Sequence, residues 1–196
     1  MVGITIEIDC NHLTTINMAE LEVVYVSVHG ALNQNPKARL SANGGNYSAG
    51  GCGHFIWVLD DSVAAGQVVK VTLTDSFSIA NQGRTIQELF PDDSVSTRTD
   101  FSINDELAAE LRAQPQLHEE FTVYAETSDG QHSTATSDEN NTSFTFGVLW
   151  EWTRPMQARV RFRTLCLDDV LARRLGTRHF DATIAINDSA SFTLIF

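Results

Sequence analysis

A cysteine and a histidine lie two positions apart in residues 43–55, NGGNYSAGGCGHF, a run rich in glycine. A thiol that gives its proton to a nearby imidazole becomes a nucleophile toward acyl carbon. Cys52 and His54 are therefore the candidate catalytic pair of a hydrolase or transferase. Catalytic partners are normally brought together by the fold rather than by short spacing. The thiol could also be served by one of the five other histidines, His12, His29, His118, His132 and His179.

The glycine-rich stretch does not match a phosphate-binding loop. Such loops need a Lys-Ser or Lys-Thr pair and a helix after the glycines, whereas HFIWVLD is typical of a strand. A tetrahedral metal site would combine Cys52 and His54 with Cys10 or Cys166, but structural zinc sites show two close ligand pairs and this chain has one. We interpret residues 30–53 as a long loop whose glycines permit close backbone approach and which lines a ligand surface.

Carboxylates and arginines supply two further candidate sites. Asp60 and Asp61 come at the end of a predicted strand, where loop carboxylates of β-sandwiches can bind calcium, although the sequence has no EF-hand pattern. Arg159, Arg161 and Arg163 alternate along another predicted strand and so form a row on one sheet face. Such a row either pairs with acidic residues of the neighbouring strand or binds an anion or an acidic protein surface.

Two tryptophans raise the possibility of carbohydrate binding. Trp150 and Trp152 share one face of a predicted strand with Phe144, Phe146 and Val148. That arrangement predicts core packing, whereas a sugar-stacking platform would need exposed rings. Carbohydrate binding is therefore an alternative rather than the expectation.

The composition is that of an acidic chain with a sizeable core. It has 196 residues, 42% of them hydrophobic, and a net charge of −12, which argues against nucleic acid as a partner because phosphates would be repelled. No apolar run reaches the roughly 18–20 residues of a membrane helix, and MVGITIEIDC lacks the pattern of a signal peptide. Three widely spaced cysteines fit a reducing compartment. We expect a cytoplasmic protein, or a secreted one if the chain is a processed form.

Period-two alternation of apolar residues predicts nine strands. They begin near positions 4, 21, 54, 67, 120, 143, 158, 180 and 191. Two segments predict short helices: NDELAAELRAQP, and LDDVLARRLG with Asp168 as its N-cap residue. Region 77–118 lacks a strand pattern and predicts a helical and loop excursion, while the polar residues 128–142 predict a loop or hairpin tip. The sequence thus predicts one domain over residues 1–196, an all-β antiparallel sandwich of about eight to ten strands with two short helical insertions.

The sequence contains no well-formed catalytic or cofactor motif. We therefore expect a non-enzymatic binding or assembly protein without a cofactor, which acts through its loops and sheet surfaces on a protein partner or on a second copy of itself. One alternative is an enzyme that uses Cys52 as its nucleophile. The other is a secreted calcium- or carbohydrate-binding module or toxin component.

Overall fold

Two antiparallel sheets of six strands each form the body of the protein. A computed structural model of the chain describes residues 2–35, 38–48, 50, 53–92 and 105–195. The strands are β1 (Gly3–Ile8), β2 (Asn11–Asn17), β3 (Val23–Ala31), β4 (Ala38–Asn46), β5 (Gly53–Val63), β6 (Val68–Thr74), β7 (Thr122–Thr127), β8 (His132–Thr136), β9 (Ser143–Glu151), β10 (Gln157–Leu165), β11 (Thr177–Ala185) and β12 (Ser189–Ile195). The helices are α1 (Ile86–Leu89), α2 (Asp105–Ala113) and α3 (Leu167–Leu171).

The strand order defines a sandwich. The first sheet has the order β2-β1-β6-β12-β7-β8, and the second has the order β11-β10-β9-β3-β4-β5. All neighbouring strands are antiparallel, and the buried side chains of both sheets form one hydrophobic cluster. The predicted all-β sandwich is therefore confirmed. The described residues form twelve strands and three short helices, more than the eight to ten strands and two helices expected.

Phenylalanine rings join the two sheets. Phe192 of β12 contacts Phe144 and Phe146 of β9, with 5.5 Å between ring centroids in each pair. Phe121 meets Phe144 edge-on at 4.9 Å. All four rings are buried, and each aromatic side chain removes about 150–250 Å² from water. These contacts therefore bind β12 of one sheet directly to β9 of the other.

Along β9, every second side chain points into the core as far as the end of the strand. Phe144, Phe146, Val148 and Trp150 are all buried. Trp152 is not part of this face, because it lies beyond the last residue of β9 and is 59% exposed. The prediction that Trp152 packs in the core is wrong, since the chain leaves the sheet before reaching it.

Two of the three unpredicted strands, β2 and β8, give weak local signals for different reasons. β2 follows β1 after only Asp9 and Cys10, which both have positive φ. Turns of this kind favour Asn-Gly, so the Asp-Cys pair conceals the hairpin. β8 is an edge strand in which Ala135 alone is buried. The expectation that residues 128–142 form only a loop or hairpin tip is therefore wrong, because an edge strand needs few apolar residues.

The third unpredicted strand, β4, corrects the loop expected over residues 30–53. Its buried, inward-facing positions include Ala38, Leu40, Ala42 and Gly44. Most of these side chains are small and give little apolar signal. Gly44 is needed because an added Cβ would lie 2.3 Å from the carbonyl oxygen of Val23 on β3. The first glycines of the stretch thus end a strand and allow close approach of its neighbour.

The helices are short and lie outside the sheets. In α3 the N-cap residue is Cys166 rather than the predicted Asp168, and Asp169 accepts a hydrogen bond from the Cys166 amide at 3.2 Å. The helix ends at Leu171, earlier than the sequence suggests, and Arg173 has a φ of 54° that helical backbone does not allow. Within the described ranges, no helix has the length and apolar character needed to cross a membrane.

A short segment closes one open edge of the sandwich. We call residues 81–84 the edge strap. Asn81 is bonded twice to Thr15 of β2, its amide donating to the Thr15 carbonyl at 2.7 Å and its Oδ1 accepting from the Thr15 amide at 3.0 Å. Arg84 exchanges two backbone hydrogen bonds with Ile56 of β5, at 2.8 and 2.9 Å. The strap therefore links an edge strand of each sheet.

A buried hydroxyl connects β10 to β11. The side chain of Thr164 is fully buried; its hydroxyl donates to Asn141 Oδ1 and lies 2.7 Å from His179 Nε2. Because the single hydroxyl proton goes to Asn141, His179 must donate from Nε2. Burial lowers the pKa of His179, and the nearby Asp138 opposes that shift in part. The neutral ring also lies 5.2 Å from the ring of Phe162.

We predict that Phe192→Ala lowers the free energy of unfolding by about 3–5 kcal/mol, because it removes the ring that joins the sheets and leaves a cavity. Urea denaturation followed by tryptophan fluorescence measures the change. Phe90→Ala is the matched control, since Phe90 is 42% exposed, and its effect should stay within about 0.5 kcal/mol. Equal effects of the two substitutions would contradict the assigned core.

We predict that His179 makes the protein less stable as the pH falls from about 7 to about 5. Its pKa is lowered in the folded state from the ordinary 6.5, so the unfolded chain takes up the proton first and protonation favours unfolding. Urea midpoints at the two pH values measure the slope. His179→Gln keeps an N–H donor without the titration and should lose part of that slope; an unchanged slope would refute the assignment.

Candidate functional site

The predicted row of arginines lies on the outer face of the second sheet. The inner face of β10 is occupied by Ala158, Val160, Phe162 and Thr164, all buried. The alternate positions, Arg159, Arg161 and Arg163, therefore point outward. Their register partners on the neighbouring β9 are Leu149, Gly147 and Thr145.

A glycine in the middle of β9 brings a tyrosine to this row. Gly147 lies between Ser27 of β3 and Arg161 of β10. The side chain of Tyr25 covers it so closely that an added Cβ would be 2.4 Å from Tyr25 Oη. Glycine inside a strand often marks such a close approach. Without a side chain at position 147, the phenol can lie across β9 and reach the cavity that the arginines line.

A cavity of about 260 Å³ lies on this face. Its polar wall consists of Tyr25, Thr145, Arg161, Arg163 and Arg174, and two leucines complete it. Thr145 and Arg163 are there because they are register partners, whereas Arg174 comes from the turn after α3. We call these five polar residues and their cavity the arginine pocket.

Arg161 is only partly neutralised. Its Nε lies 3.6 Å from Asp181 Oδ2 on β11, a distance too long for a hydrogen bond. The same Nε is shielded from solvent and has no hydrogen-bond acceptor among the described residues. An unsatisfied buried donor costs about 1–3 kcal/mol. The ion pair therefore leaves the inner edge of the guanidinium without an acceptor.

Within the described chain, Arg163 also has an unsatisfied Nε, and its register partner on the next strand is not a carboxylate. Its Nε is also shielded and lacks an acceptor in the described part of the chain, while its Nη1 donates to the Leu175 carbonyl at 3.5 Å. Its register partner on β11 is Arg178, so a cross-strand carboxylate is not available to it there. Arg178 itself pairs with Asp181 at 3.0 Å. The interpretation that acidic residues of the next strand neutralise the whole row therefore applies to Arg161 alone.

The charges around the arginine pocket leave a positive balance. Arg174 pairs with Asp169 at 2.8 Å, which lowers the pKa of that carboxyl. Asp169 and Asp181 thus face four arginines, Arg161, Arg163, Arg174 and Arg178. This local excess of positive charge contrasts with the net charge of −12 on the whole chain. The pocket favours a negatively charged group.

Burial raises the pKa of Tyr25, and the charges of Arg163 and Arg161 oppose that shift. The phenol is therefore protonated at neutral pH and can donate a hydrogen bond. Together with the guanidinium groups and the Thr145 hydroxyl, it makes the polar wall of the pocket rich in donors. Such a wall can bind a carboxylate or another oxyanion.

Arg159 lies apart from the arginine pocket. It lines a much smaller cavity of about 20 Å³ with Glu151, Arg154 and Gln157. The sequence grouped it with Arg161 and Arg163 because they share one face of β10. The structure brings only the latter two into the pocket, since Tyr25 and Arg174 approach one end of the strand.

Of the proposed nucleophilic pair, His54 lies within the described residues and Cys52 does not. Cys52 lies outside the described residues, so its role as a nucleophile stays a prediction. His54 is the second residue of β5, and its Nδ1 lies 2.6 Å from the Tyr47 hydroxyl. Glu22 accepts hydrogen bonds from the Ser48 hydroxyl and from the Tyr47 amide, and these bonds lower its pKa. Around Cys52, the described residues are those of a β4–β5 hairpin anchored to Glu22.

Asp60 and Asp61 lie within β5 rather than after a strand. Asp60 has a φ of 51° at an irregularity where β5 shifts register against β4, and its Oδ1 accepts from Ser41 Oγ at 2.6 Å. Among the residues that the structure describes, no three His, Cys, Asp or Glu side chains cluster in a way that could hold a metal. The pair is thus placed at a β-bulge, where the Asp60 carboxylate has a structural use.

Sequence reasoning missed four members or supports of the arginine pocket. Tyr25 occupies an outward position of an almost wholly apolar strand, and Gly147 interrupts another strand. Both patterns were signals of a special packing arrangement. Thr145 and Arg174 carry no such signal, because only pairing and the turn after α3 bring them to the cavity.

We compared the chain with family models, with curated proteins and with solved structures, and none of them matched. We therefore infer function from the chemistry of the site.

We predict that Gly147→Ala lowers the free energy of unfolding by about 1–3 kcal/mol, because the new methyl group collides with the Tyr25 ring. In a Tyr25→Ala background the same substitution should cost less, since the obstacle is gone. Urea denaturation of the four proteins gives the coupling energy, expected to be at least about 0.5 kcal/mol. Strictly additive effects would show that Tyr25 does not cover position 147.

Proposed function

We propose that this protein is a non-enzymatic binding protein whose arginine pocket accepts an acidic side chain of a protein partner. The observation that carries the proposal is the pair of shielded Nε–H groups, on Arg161 and Arg163, that lack acceptors among the described residues. A carboxylate that entered the cavity would supply those acceptors and neutralise the positive balance. Buried donors of this kind gain most from a charged acceptor.

The composition of the pocket supports a protein partner. Arginine and tyrosine are, with tryptophan, the residue types most enriched at the energetic centres of protein interfaces. The pocket combines three arginines with Tyr25 on a sheet face, where a partner surface can approach. Residues 151–196, which contain all three arginines, hold seven basic and five acidic residues, although the chain as a whole is strongly acidic. An acidic partner is therefore attracted to this face and repelled by most others.

A hexaglutamate peptide tests the proposal by calorimetric titration at low salt. We predict binding that weakens between about 50 and about 300 mM salt, as screening requires. The variant with Arg161→Gln and Arg163→Gln should lose affinity by tenfold or more, because truncating a buried charge pair costs about 2–5 kcal/mol. Arg159→Gln is the matched control on the same strand and should change affinity less than about twofold. Absence of binding, or an equal loss in the control, would refute the proposal.

A second copy of the chain is one source of the acidic side chain, since the protein carries 25 acidic and 13 basic residues. Sedimentation velocity distinguishes this source from a foreign partner. A dimer in the wild type that the Arg161→Gln, Arg163→Gln variant abolishes identifies the second copy. A wild type that stays monomeric while it binds hexaglutamate identifies a foreign partner.

A further inference from the structure

A second cavity lies at the opposite end of the strand order of the second sheet, beside β5. It has a volume of about 240 Å³ and lies between the edge strap, the turn after β2 and the beginning of β5. We call it the edge cleft. The arginine pocket lies over β3, β9 and β10, so the two cavities share no lining residue.

The edge cleft has an aromatic wall. Phe55 and Trp57 are two residues apart on β5 and so share one of its faces. Their ring centroids are 6.1 Å apart with an interplanar angle of 54°. Both rings are only partly buried, although large aromatic side chains usually contribute strongly to hydrophobic cores. The cleft thus presents aromatic surface at the exterior of the molecule.

The edge strap fixes the orientation of the wall. The indole Nε1 of Trp57 donates to the Asn81 carbonyl at 3.1 Å. Gly83 is buried against the pair, and an added Cβ would lie 2.8 Å from both Phe55 Cβ and Trp57 Cε2. Asn81 in turn is bonded to β2. The rings are therefore held in place before any ligand arrives, which reduces the entropy lost on binding.

Apart from Ala19, Leu21 and Gly83, the remaining lining is polar and almost uncharged. Asn17, Asn81 and Gln82 contribute amides, and Glu20 is the single ionisable residue among the described lining residues. Amide side chains both donate and accept hydrogen bonds, as a sugar hydroxyl does. The described lining residues include no cation that could neutralise an anion, in contrast to the arginine pocket. The chemistry therefore favours a neutral ligand with several hydroxyl groups.

We propose that the edge cleft binds a neutral pyranose ring, whose apolar C–H face packs on Phe55 and Trp57 while its hydroxyls bond to the amides of Asn17 and Gln82. The volume supports a single ring, since sites for drug-sized ligands run from about 300 to about 1,000 Å³. This activity goes beyond the binding of an acidic partner and uses a different part of the surface.

Saturation-transfer NMR with a panel of neutral methyl glycosides (glucose, galactose, mannose and N-acetylglucosamine) tests the proposal. We expect at least one glycoside to bind with a Kd on the order of 1–10 mM, with its signal strongest on the C–H protons of one ring face. Failure of the whole panel in that range would overturn the proposal. A signal from adenosine that exceeds every glycoside would also overturn it, because the wall would then select a planar ring.

Four variants locate the binding. Trp57→Ala should weaken glycoside binding by roughly tenfold, because it removes the stacking contact with the indole ring. Gln82→Ala keeps the fold in place, because Gln82 is exposed, and should weaken binding by a few fold without a change in Tm. Trp152→Ala is the matched control, an exposed tryptophan outside the cleft. The Arg161→Gln, Arg163→Gln variant should bind glycosides normally, so failure of one proposal leaves the other standing. Unchanged affinity in both Trp57→Ala and Gln82→Ala would place the sugar elsewhere.

Discussion

Packing of the two sheets against each other through their inner faces determines the orientation of every strand in this protein. Phe192 of β12 packs on Phe144 and Phe146 of β9, and this contact fixes which face of each strand points inward. A shift of one residue in register would reverse every side chain of a strand. The outward row of arginines on β10 is therefore a consequence of burying Val160 and Phe162. Core packing decides which residues are left for function.

A sandwich of two open sheets must also protect its edges, because unpaired strand edges invite association. In this protein residues 81–84 cover one edge by bonding to Thr15 of β2 and Ile56 of β5. This segment is the edge strap. It rests on Phe55 and Trp57 through Gly83 and leaves the edge cleft beside them. A single structural device thus closes the sandwich and creates a concave aromatic surface.

The outer face of the second sheet shows how an acidic protein can concentrate positive charge. Arg161 and Arg163 are side by side with Tyr25, and the two carboxylates nearby, Asp169 and Asp181, also serve Arg174 and Arg178. The shielded Nε groups carry a cost in the free protein, which a bound oxyanion would remove. Gly147 makes the arrangement possible, since any larger residue would displace the tyrosine. The pocket is therefore a result of packing as much as of charge.

The fold class, nine of the strands and the arginine row could be predicted from the amino-acid pattern, because period-two alternation is a local property of the chain. It did not reveal β2, β4 or β8, whose Asp-Cys turn, small inward residues and polar edge position give weak local signals. It also grouped Arg159 with its neighbours and treated the glycine-rich stretch as a loop. Only the tertiary structure brought Tyr25, Thr145 and Arg174 to Arg161 and Arg163, and Asn81 to Trp57. Those residues are far apart in the chain, and their proximity depends on strand pairing and edge closure, which no local pattern encodes.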